Sequence, residues 1–278
     1  MTDFLEKRPL GQTGLMVSRL GIGSSFGAPT EVIEEAVEQG INYLYWGSIR
    51  RPAFGRAMRN VARRKREEVV LTVQSYSRVP WLLAPSVDIA LLRSGVDYFD
   101  ILLLGQRSEP LSQSFIDAFL ELREKGKVKH LAISTHNRPV LPQLFDEYQA
   151  GQNPCGIFMF RYNAAHRGAE TDIFPFVPDQ KPPGLIAYTA TRWGNLIDAN
   201  KMPRGESAAS ASDCYRFVLS QSAVDMVLCG PANREQMQEA IGALELGPLD
   251  PEDTGRMHRI GSHVYQSYKP QFIDRGDQ

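Results

Sequence analysis

Aromatic and basic side chains that can donate protons or bind anions occur just beyond several short apolar runs. They are Tyr45, Arg50, Tyr76, His136, Arg161, Tyr162 and Arg192. A guanidinium forms charge-assisted hydrogen bonds with carboxylates and phosphates, and tyrosine and histidine can act as proton donors in catalysis. If these side chains share one pocket, its mouth is basic and aromatic and favours an anionic or phosphorylated small molecule.

A second anion-binding feature follows the last apolar run. Gly230 begins a loop that leads into a helix predicted to start at Asn233. Free N–H groups and the helix dipole favour a phosphate at such a helix N-terminus. Arg234 lies in the first turn and is a candidate phosphate ligand, although a solvated surface charge is an equally good interpretation.

Composition narrows the range of partners. The chain has 31 basic and 32 acidic residues and a formal net charge of −1, so it lacks the positive field that attracts nucleic acid or anionic lipid. The basic run 59–66 is interpreted as the solvated end of a helix. No stretch reaches the roughly 18 apolar residues of a membrane span. The first ten residues match neither a secretory signal nor a transit peptide, so a cytoplasmic location is expected.

The three cysteines predict no metal site. Cys155, Cys214 and Cys229 are odd in number and have no CxxC spacing, so neither a disulfide framework nor a zinc site is indicated. We expect them to be small buried apolar side chains.

Short apolar runs alternate with helix-period segments, as in βα units around a parallel sheet. Eight runs are present: Leu20–Gly23, Ile41–Tyr45, Val69–Val73, Phe99–Leu104, His130–Ser134, Gly156–Phe160, Leu185–Tyr188 and Met226–Cys229. Eight units and 278 residues predict a (β/α)8 TIM barrel that forms a single domain over residues 1–278.

Helix boundaries follow from capping residues. Thr30–Gln39 is a predicted helix with Thr30 as its N-cap, and Leu111–Lys125 is another that ends at Gly126. The last two helices are expected to begin at Asn233 and Pro251. Residues 198–212 are rich in Gly, Ala, Ser and Pro and are predicted to form a loop.

Five segments carry a resemblance to a known family. KRPLGQTGLMVSRLGIGSSFG, residues 7–27, resembles the start of the aldo-keto reductases, where a β-hairpin precedes the first barrel strand. EQGINYLYWGS, EKGKVKHLAIST, RYNAAHRGAE and VLCGPANREQMQEAIGAL resemble later segments of the family in the same order. The resemblance covers residues 7–250 and implies a barrel with an N-terminal hairpin, extra C-terminal helices and a site at the carboxyl ends of the strands.

The resemblance also implies four catalytic positions, which the family fills with aspartate, tyrosine, lysine and histidine. In this chain the corresponding positions are Tyr45, Arg50, Gln74 and Gly105. Glutamine carries no charge to lower a tyrosine pKa, and arginine does not release its proton near neutral pH. We therefore expect a different proton donor, with Tyr45, Tyr76 and His136 as the candidates.

Part of the family's cofactor site is retained according to the same resemblance. Its implied cofactor contacts here are Ser134, Thr135, Tyr188, Arg192, Gly230, Arg234 and Gln236. Ser134 and Thr135 replace the pair that holds the nicotinamide carboxamide, and Tyr188 is at the position that stacks on the ring. Met159 stands where the family has a glutamine.

Two functions remain open at this point. One is an NADP(H)-linked oxidoreductase with a non-standard active site, in which Tyr45 or His136 supplies the proton, Gln74 belongs to the site and Arg50 stabilises an oxyanion. The other is a catalytically inactive homologue that binds a nucleotide or another anionic ligand. A weaker third alternative is a reaction on an anionic substrate without nicotinamide.

Overall fold

The computed structural model describes residues 3–268, which form a closed barrel of eight parallel strands. A two-stranded antiparallel hairpin precedes the barrel: β1 (Arg8–Pro9) and β2 (Met16–Val17). The barrel strands are β3 (Leu20–Gly23), β4 (Tyr43–Trp46), β5 (Val70–Ser75), β6 (Phe99–Leu104), β7 (Val128–Thr135), β8 (Cys155–Arg161), β9 (Gly184–Tyr188) and β10 (Met226–Cys229). Parallel pairing of β10 with β3 closes the ring. Each of the eight predicted strands is confirmed, with boundaries shifted by at most two residues.

Helices follow the barrel strands and cover their outer face. They are α1 (Thr30–Glu38), α2 (Pro52–Lys65), α3 (Leu83–Ser94), α4 (Gln113–Glu124), α5 (Leu141–Gln149), α6 (Ala169–Asp172), α7 (Ala211–Leu219), α8 (Arg234–Leu246) and α9 (Pro251–Ser267). None of the helices within residues 3–268 is long and apolar enough to cross a membrane. Buried positions recur every three or four residues, as a helix that covers a sheet requires.

The predicted helix ends are mostly confirmed. Asn233 Oδ1 accepts the N–H of Gln236 at 2.9 Å and caps α8, and α9 begins at Pro251. The predicted cap at Thr30 is wrong, because Pro29 is the N-cap and Thr30 is already helical. The Thr30 hydroxyl instead donates to the carbonyl of Ala53 at 3.0 Å and ties α1 to α2.

Residues 198–210 form a loop with one short 3-10 helix, Ala199–Lys201, so the predicted loop ends two residues earlier than expected, where α7 begins. It ends in a reciprocal cap at the start of α7. The Ser210 hydroxyl accepts the N–H of Asp213 at 2.9 Å, and the Asp213 carboxylate accepts the N–H of Ser210 at 3.2 Å. This capping box stops the loop and starts the helix.

The hairpin closes the amino-terminal end of the barrel. Leu10 and Val17 are fully buried against inward-facing side chains such as Ile101 and Leu103. Gly11 has φ +54°, and a Cβ there would lie 2.3 Å from the backbone N of Gly184. Only glycine permits this approach, which seats the hairpin against the start of β9.

The opposite end of the barrel is open. Along each strand every second side chain points inward, and the last inward residues gather around the axis because parallel strands end at the same edge. Tyr45 on β4, Gln74 on β5, Ser134 on β7 and Tyr188 on β9 occupy these positions. They form the inner part of a pocket.

Candidate functional site

A cavity of about 310 Å³ opens at the carboxyl ends of the strands, where the active sites of (β/α)8 barrels lie. Segments that follow β3, β5, β6, β7, β9 and β10 form its walls. Among residues 3–268, none that lines it is Asp, Glu, Lys or Arg, and His136 contributes an imidazole. The described lining is therefore mainly polar and aromatic.

Three neutral side chains, Tyr45, Gln74 and Tyr76, line one wall of this pocket from its inner part to its exposed edge. The Tyr45 hydroxyl donates to Gln74 Oε1, and the Gln74 amide lies beside Tyr76 and lowers the pKa of its phenol. Burial raises the pKa of Tyr45 well above 10. Burial also raises the pKa of Tyr76, and the hydrogen bond from Gln74 opposes that rise. Both phenols are therefore protonated at neutral pH.

Gly105 makes room for these side chains. A Cβ at Gly105 would lie 1.9 Å from Gln74 Nε2 and 3.0 Å from Tyr76 Cδ1. The Gln74 amide thus fills the space that a side chain at residue 105 would need. Glycine at one position and glutamine at the other are complementary parts of one arrangement.

The opposite wall contains Ser134, His136 and Tyr188. The Tyr188 hydroxyl lies 3.2 Å from His136 Nε2, and the two rings meet edge to face. Ser134 Oγ accepts the N–H of Gln106 at 2.9 Å, so its own proton can point elsewhere. Thr135 is buried and does not line the pocket, since its hydroxyl accepts the N–H of Asn137 at 2.9 Å.

The segment after β9, residues 189–194, has an unusual backbone and bounds one side of the pocket. Thr189, Arg192 and Trp193 have φ values of +59°, +51° and +52°, although none is glycine. Such residues cost free energy and persist only where surrounding contacts hold them. Asn163 Nδ2 donates to the carbonyl of Thr189 at 2.8 Å and is one of these contacts.

Arg192 supplies another contact of this segment and does not reach the pocket. Its side chain is 2% exposed, and its guanidinium donates to the carbonyls of Val264 and Tyr268 at the end of α9. The left-handed turn directs this arginine outward to α9 and leaves the neighbouring Trp193 at the pocket. The structure therefore does not support the predicted contact between Arg192 and a cofactor phosphate.

The prediction of a basic pocket mouth is wrong for the other arginines too. Arg50 lies in an exposed turn before α2 and does not line the cavity. Arg161 is buried at the end of β8, outside the lining. Tyr162 is also buried, and its hydroxyl donates to Glu170 at 2.8 Å. The position of a residue just past a strand did not reveal which way its side chain points.

The start of α8 lies beside the pocket, and Gly230 lines the cavity directly. Arg234 is at the surface, where its guanidinium forms an ion pair with Glu35 at 2.6 Å. The Gln236 side chain accepts the N–H of Ala232 at 2.8 Å and stabilises the loop that precedes the helix. Phosphate contacts of Arg234 and adenosine contacts of Gln236 stay predictions.

Sequence reasoning missed several residues that line the pocket, among them Phe26, Gln106, Thr191, Trp193 and Tyr215. Phe26 lies in the segment that carries the resemblance, directly after the first barrel strand. Its place past a strand end was the available signal. Gln106 has φ +53°, a conformation that its residue type does not announce.

The fold and pocket thus define a (β/α)8 barrel with a small-molecule site at the carboxyl ends of its strands. Solved structures share this fold. The holo form of aldo-keto reductase AKR11C1 from Bacillus halodurans matches with a TM-score of 0.75 and 20% identity over 92% of this chain and 96% of that one. The apo form matches with a TM-score of 0.72 and the same identity and coverage.

Curated proteins are similar in sequence over nearly the whole chain. The uncharacterized oxidoreductase YqkF of Bacillus subtilis is 24% identical over 94% of this chain and 97% of its own length. L-galactose dehydrogenase of Arabidopsis thaliana is 22% identical over 92% and 94%. Methylglyoxal reductase YeaE of Escherichia coli is 24% identical over 65% and 66%. No family model matches the chain.

The resemblance to the aldo-keto reductases that the sequence predicts is therefore confirmed. In fold this chain is a (β/α)8 barrel like the solved aldo-keto reductase structures, and in sequence it is similar to curated oxidoreductases.

Proposed function

We propose that this chain is a nicotinamide-linked oxidoreductase, with NADP(H) as cofactor, that moves a proton through a neutral hydrogen-bonded chain in a non-standard active site. The observation that carries the proposal is the hydrogen bond from Tyr45 to Gln74 Oε1, whose amide lies beside the half-exposed Tyr76 in the pocket. The names of the relatives, which include an oxidoreductase, a dehydrogenase and a reductase, support the reaction class.

The lining fits the nicotinamide ring of the reduced cofactor, which carries no charge. Tyr188 is half-buried and offers a ring face at the pocket, and the Ser134 hydroxyl is available to the carboxamide. Gly230 opens the side of the pocket that leads to α8. When bound there, the cofactor would supply the hydride. The neutral wall suits this ring because no unpaired protein charge has to be desolvated beside it.

The direction of the hydrogen bonds identifies the proton donor. Tyr45 donates its only proton to Gln74 Oε1, so the N–H groups of Gln74 remain to interact with the Tyr76 oxygen, in keeping with the lowering effect of Gln74 on the Tyr76 pKa. The proton of Tyr76 is left to point into the pocket toward a substrate oxygen. Since hydrogen bonds in series polarise one another, the chain also stabilises negative charge on the Tyr76 oxygen after transfer. Tyr45 and Gln74 act through Tyr76.

Two other predicted roles change with the geometry. Arg50 lies outside the pocket and takes no part in the proposal. His136 stays a second candidate donor because its Nε2 lies 3.2 Å from the Tyr188 hydroxyl in the opposite wall. His136→Gln removes its titration while it keeps polar atoms, and a reaction that runs through Tyr76 should survive this change.

A calorimetric titration with NADPH and NADH tests the cofactor assignment. We expect NADPH to bind with a Kd well below about 1 mM. Arg234→Met should weaken NADPH binding and leave NADH binding unchanged if Arg234 releases Glu35 to bind the 2′-phosphate. Absence of heat at millimolar concentrations of both cofactors would overturn the proposal.

A second candidate function is a catalytically inactive homologue that binds the nucleotide or another ligand. It is favoured because none of the lining residues in the described part of the chain is Asp, Glu, Lys or Arg, so no carboxylate, ammonium or guanidinium from these residues assists Tyr76. The two functions separate once binding is established. Cofactor binding without oxidation of NADPH by a panel of simple aldehydes and ketones supports the inactive homologue, and turnover excludes it.

A further inference from the structure

We infer that two copies of this chain form a symmetric dimer through the outer face of α3, with the two α3 helices packed antiparallel. The inference concerns the outside of the barrel and does not depend on the proposed function. Three observations carry it: an exposed apolar stripe on this helix, the symmetric spacing of the stripe, and the arrangement of the charged side chains beside it.

The stripe lies on the side of α3 that faces away from the barrel, and the opposite side of the helix is buried. Its residues, called the α3 face below, are exposed and apolar: Trp81, Leu82, Pro85, Ile89 and Leu92. The first two belong to the 3-10 turn that leads into the helix. Exposed apolar side chains that are scattered singly are ordinary, but a continuous row on one helix marks an interaction surface.

The spacing of the α3 face is symmetric. Positions 82, 85, 89 and 92 are separated by three, four and three residues, which is the a and d spacing of a coiled-coil seam. When two such helices pack antiparallel about a two-fold axis near residue 87, Leu82 of one copy faces Leu92 of the other. Pro85 likewise faces Ile89, so a small side chain meets a large one. The same surface therefore complements itself, as the interface of a two-fold dimer requires.

The charged side chains beside the seam fit this arrangement. Asp88 lies on one side of it and binds Lys127 of its own chain at 2.5 Å, and Arg93 lies on the other side. In an antiparallel pair, residues from the same side of the two helices come together. Trp81 then lies near Asp88 of the second copy, where its indole N–H can donate to the carboxylate, and Ser86 lies near Arg93. No two like charges of these residues meet.

The most exposed apolar groups lie at the two ends of the α3 face. Leu92 and Trp81 are 82% and 77% exposed, more than any other large apolar side chain among residues 3–268. In the antiparallel dimer the Leu92 end of one copy covers the Trp81 end of the other. A stable interface buries about 800 Å² on each partner, with an apolar centre and a polar rim. The α3 face supplies the centre, and Asp88 and Arg93 belong to the rim.

Sedimentation velocity of the full chain between about 1 and 100 μM measures the dimer. We expect the dimer to predominate at the upper concentration. Leu92→Glu places a carboxylate in the seam and should raise the dimer Kd at least about 30-fold. Leu246→Glu makes the same change at a leucine that is 61% exposed at the end of α8, and should leave the Kd unchanged.

Urea denaturation of both variants establishes that each is folded. A wild type that is monomeric throughout this range, or an equal response of the two variants, would overturn the inference. If that monomer bound vesicles of phosphatidylglycerol and Leu92→Glu did not, the α3 face would belong to a lipid surface instead.

Cysteine cross-linking tests the antiparallel register, and the three native cysteines are buried. In the antiparallel dimer, Leu82→Cys of one copy lies opposite Leu92→Cys of the other. Two copies of either substitution lie about 15 Å apart along the helices, beyond the reach of a disulfide. With oxidised glutathione, an equimolar mixture of the two variants should therefore form the covalent dimer at least about tenfold faster than either variant alone. Self-cross-linking of either variant at the rate of the mixture would overturn the inference.

Discussion

The two ends of the barrel use charge in opposite ways. At the closed amino-terminal end, Arg19 is fully buried and donates to the carbonyls of Leu219 and Val224 at 3.0 and 3.1 Å. Nearby, the Asp225 carboxylate accepts the N–H of Leu185 at 2.8 Å. At the open carboxyl end, none of the pocket-lining residues within 3–268 is Asp, Glu, Lys or Arg. Ionised groups hold the closed end together, whereas neutral hydrogen bonds shape the open one.

Arg192 shows why residue type alone does not distinguish these uses. It stands in a loop beside the pocket, yet it acts as Arg19 does: a buried guanidinium that satisfies two backbone carbonyls. Carbonyls at a helix C-terminus attract a cation because their dipoles are aligned. The arginine most suggestive of phosphate binding is therefore an anchor for the segment that carries Trp193.

Replacement of the two buried arginines should give the largest effects on stability. Arg19→Met and Arg192→Met should each lower the free energy of unfolding by about 3 kcal/mol, because both leave buried carbonyls without donors. Urea denaturation measures this loss. Only Arg192→Met should also weaken ligand binding at the pocket, by about tenfold, since it releases the segment 189–194. If Arg19→Met and Arg192→Met lost the same ligand affinity, the expectation that only the open end of the barrel affects binding would be contradicted.

Gly11 at the closed end and Gly105 at the open end allow the two ends of the barrel to be compared without a change of charge. Gly11→Ala should cost about 2 to 3 kcal/mol, because φ is +54° and the new Cβ meets the backbone of Gly184. Gly105→Ala meets the flexible end of Gln74, so it should cost about 1 kcal/mol or less of stability. Its larger effect should be on turnover, because it displaces the amide that contacts Tyr76. The free energy of unfolding and the turnover rate are measured on the same samples of both variants. A loss of turnover in Gly11→Ala but not in Gly105→Ala would contradict the expected difference between the two ends.

The pH dependence of stability should come partly from the closed end. Burial raises the pKa of Asp225 from 3.8 to about 6. A carboxyl with a raised pKa in the folded state binds more protons than in the unfolded state, so its contribution favours folding at low pH and is lost as pH rises through about 6. The unfolding free energy of the wild type minus that of Asp225→Asn should therefore increase by about 2 kcal/mol as pH falls from 7 to 4. A difference in unfolding free energy between the two proteins that does not change with pH would contradict this expectation.

The sequence predicted the barrel well because its signals are local or periodic. Each strand is an apolar run bounded by turns, and Gly126, Asn233 and Pro251 mark helix ends by their own backbone chemistry. Thr30 was assigned wrongly because its hydroxyl has a tertiary partner, the carbonyl of Ala53, that no local rule reveals.

The site was predicted less completely than the fold. The positions of Tyr45, Gln74, Ser134 and Tyr188 follow from strand alternation, and all four line the pocket. The directions of Arg161 and Arg192 depend on tertiary contacts and on a left-handed turn in non-glycine residues, which the sequence does not signal. The fit of Gln74 over Gly105 is likewise a packing relation between residues 31 positions apart in the sequence, so neither position alone indicates it.

The most direct test of the neutral proton chain is the rate of NADPH oxidation in Tyr76→Phe, with 4-methylbenzaldehyde as substrate. Tyr148→Phe, a tyrosine outside the pocket beside Gly156, is the matched control. The account predicts that Tyr76→Phe lowers kcat about 100-fold, with the Kd for NADPH unchanged, while the control retains wild-type kcat. A kcat for Tyr76→Phe within about twofold of the wild type would contradict it.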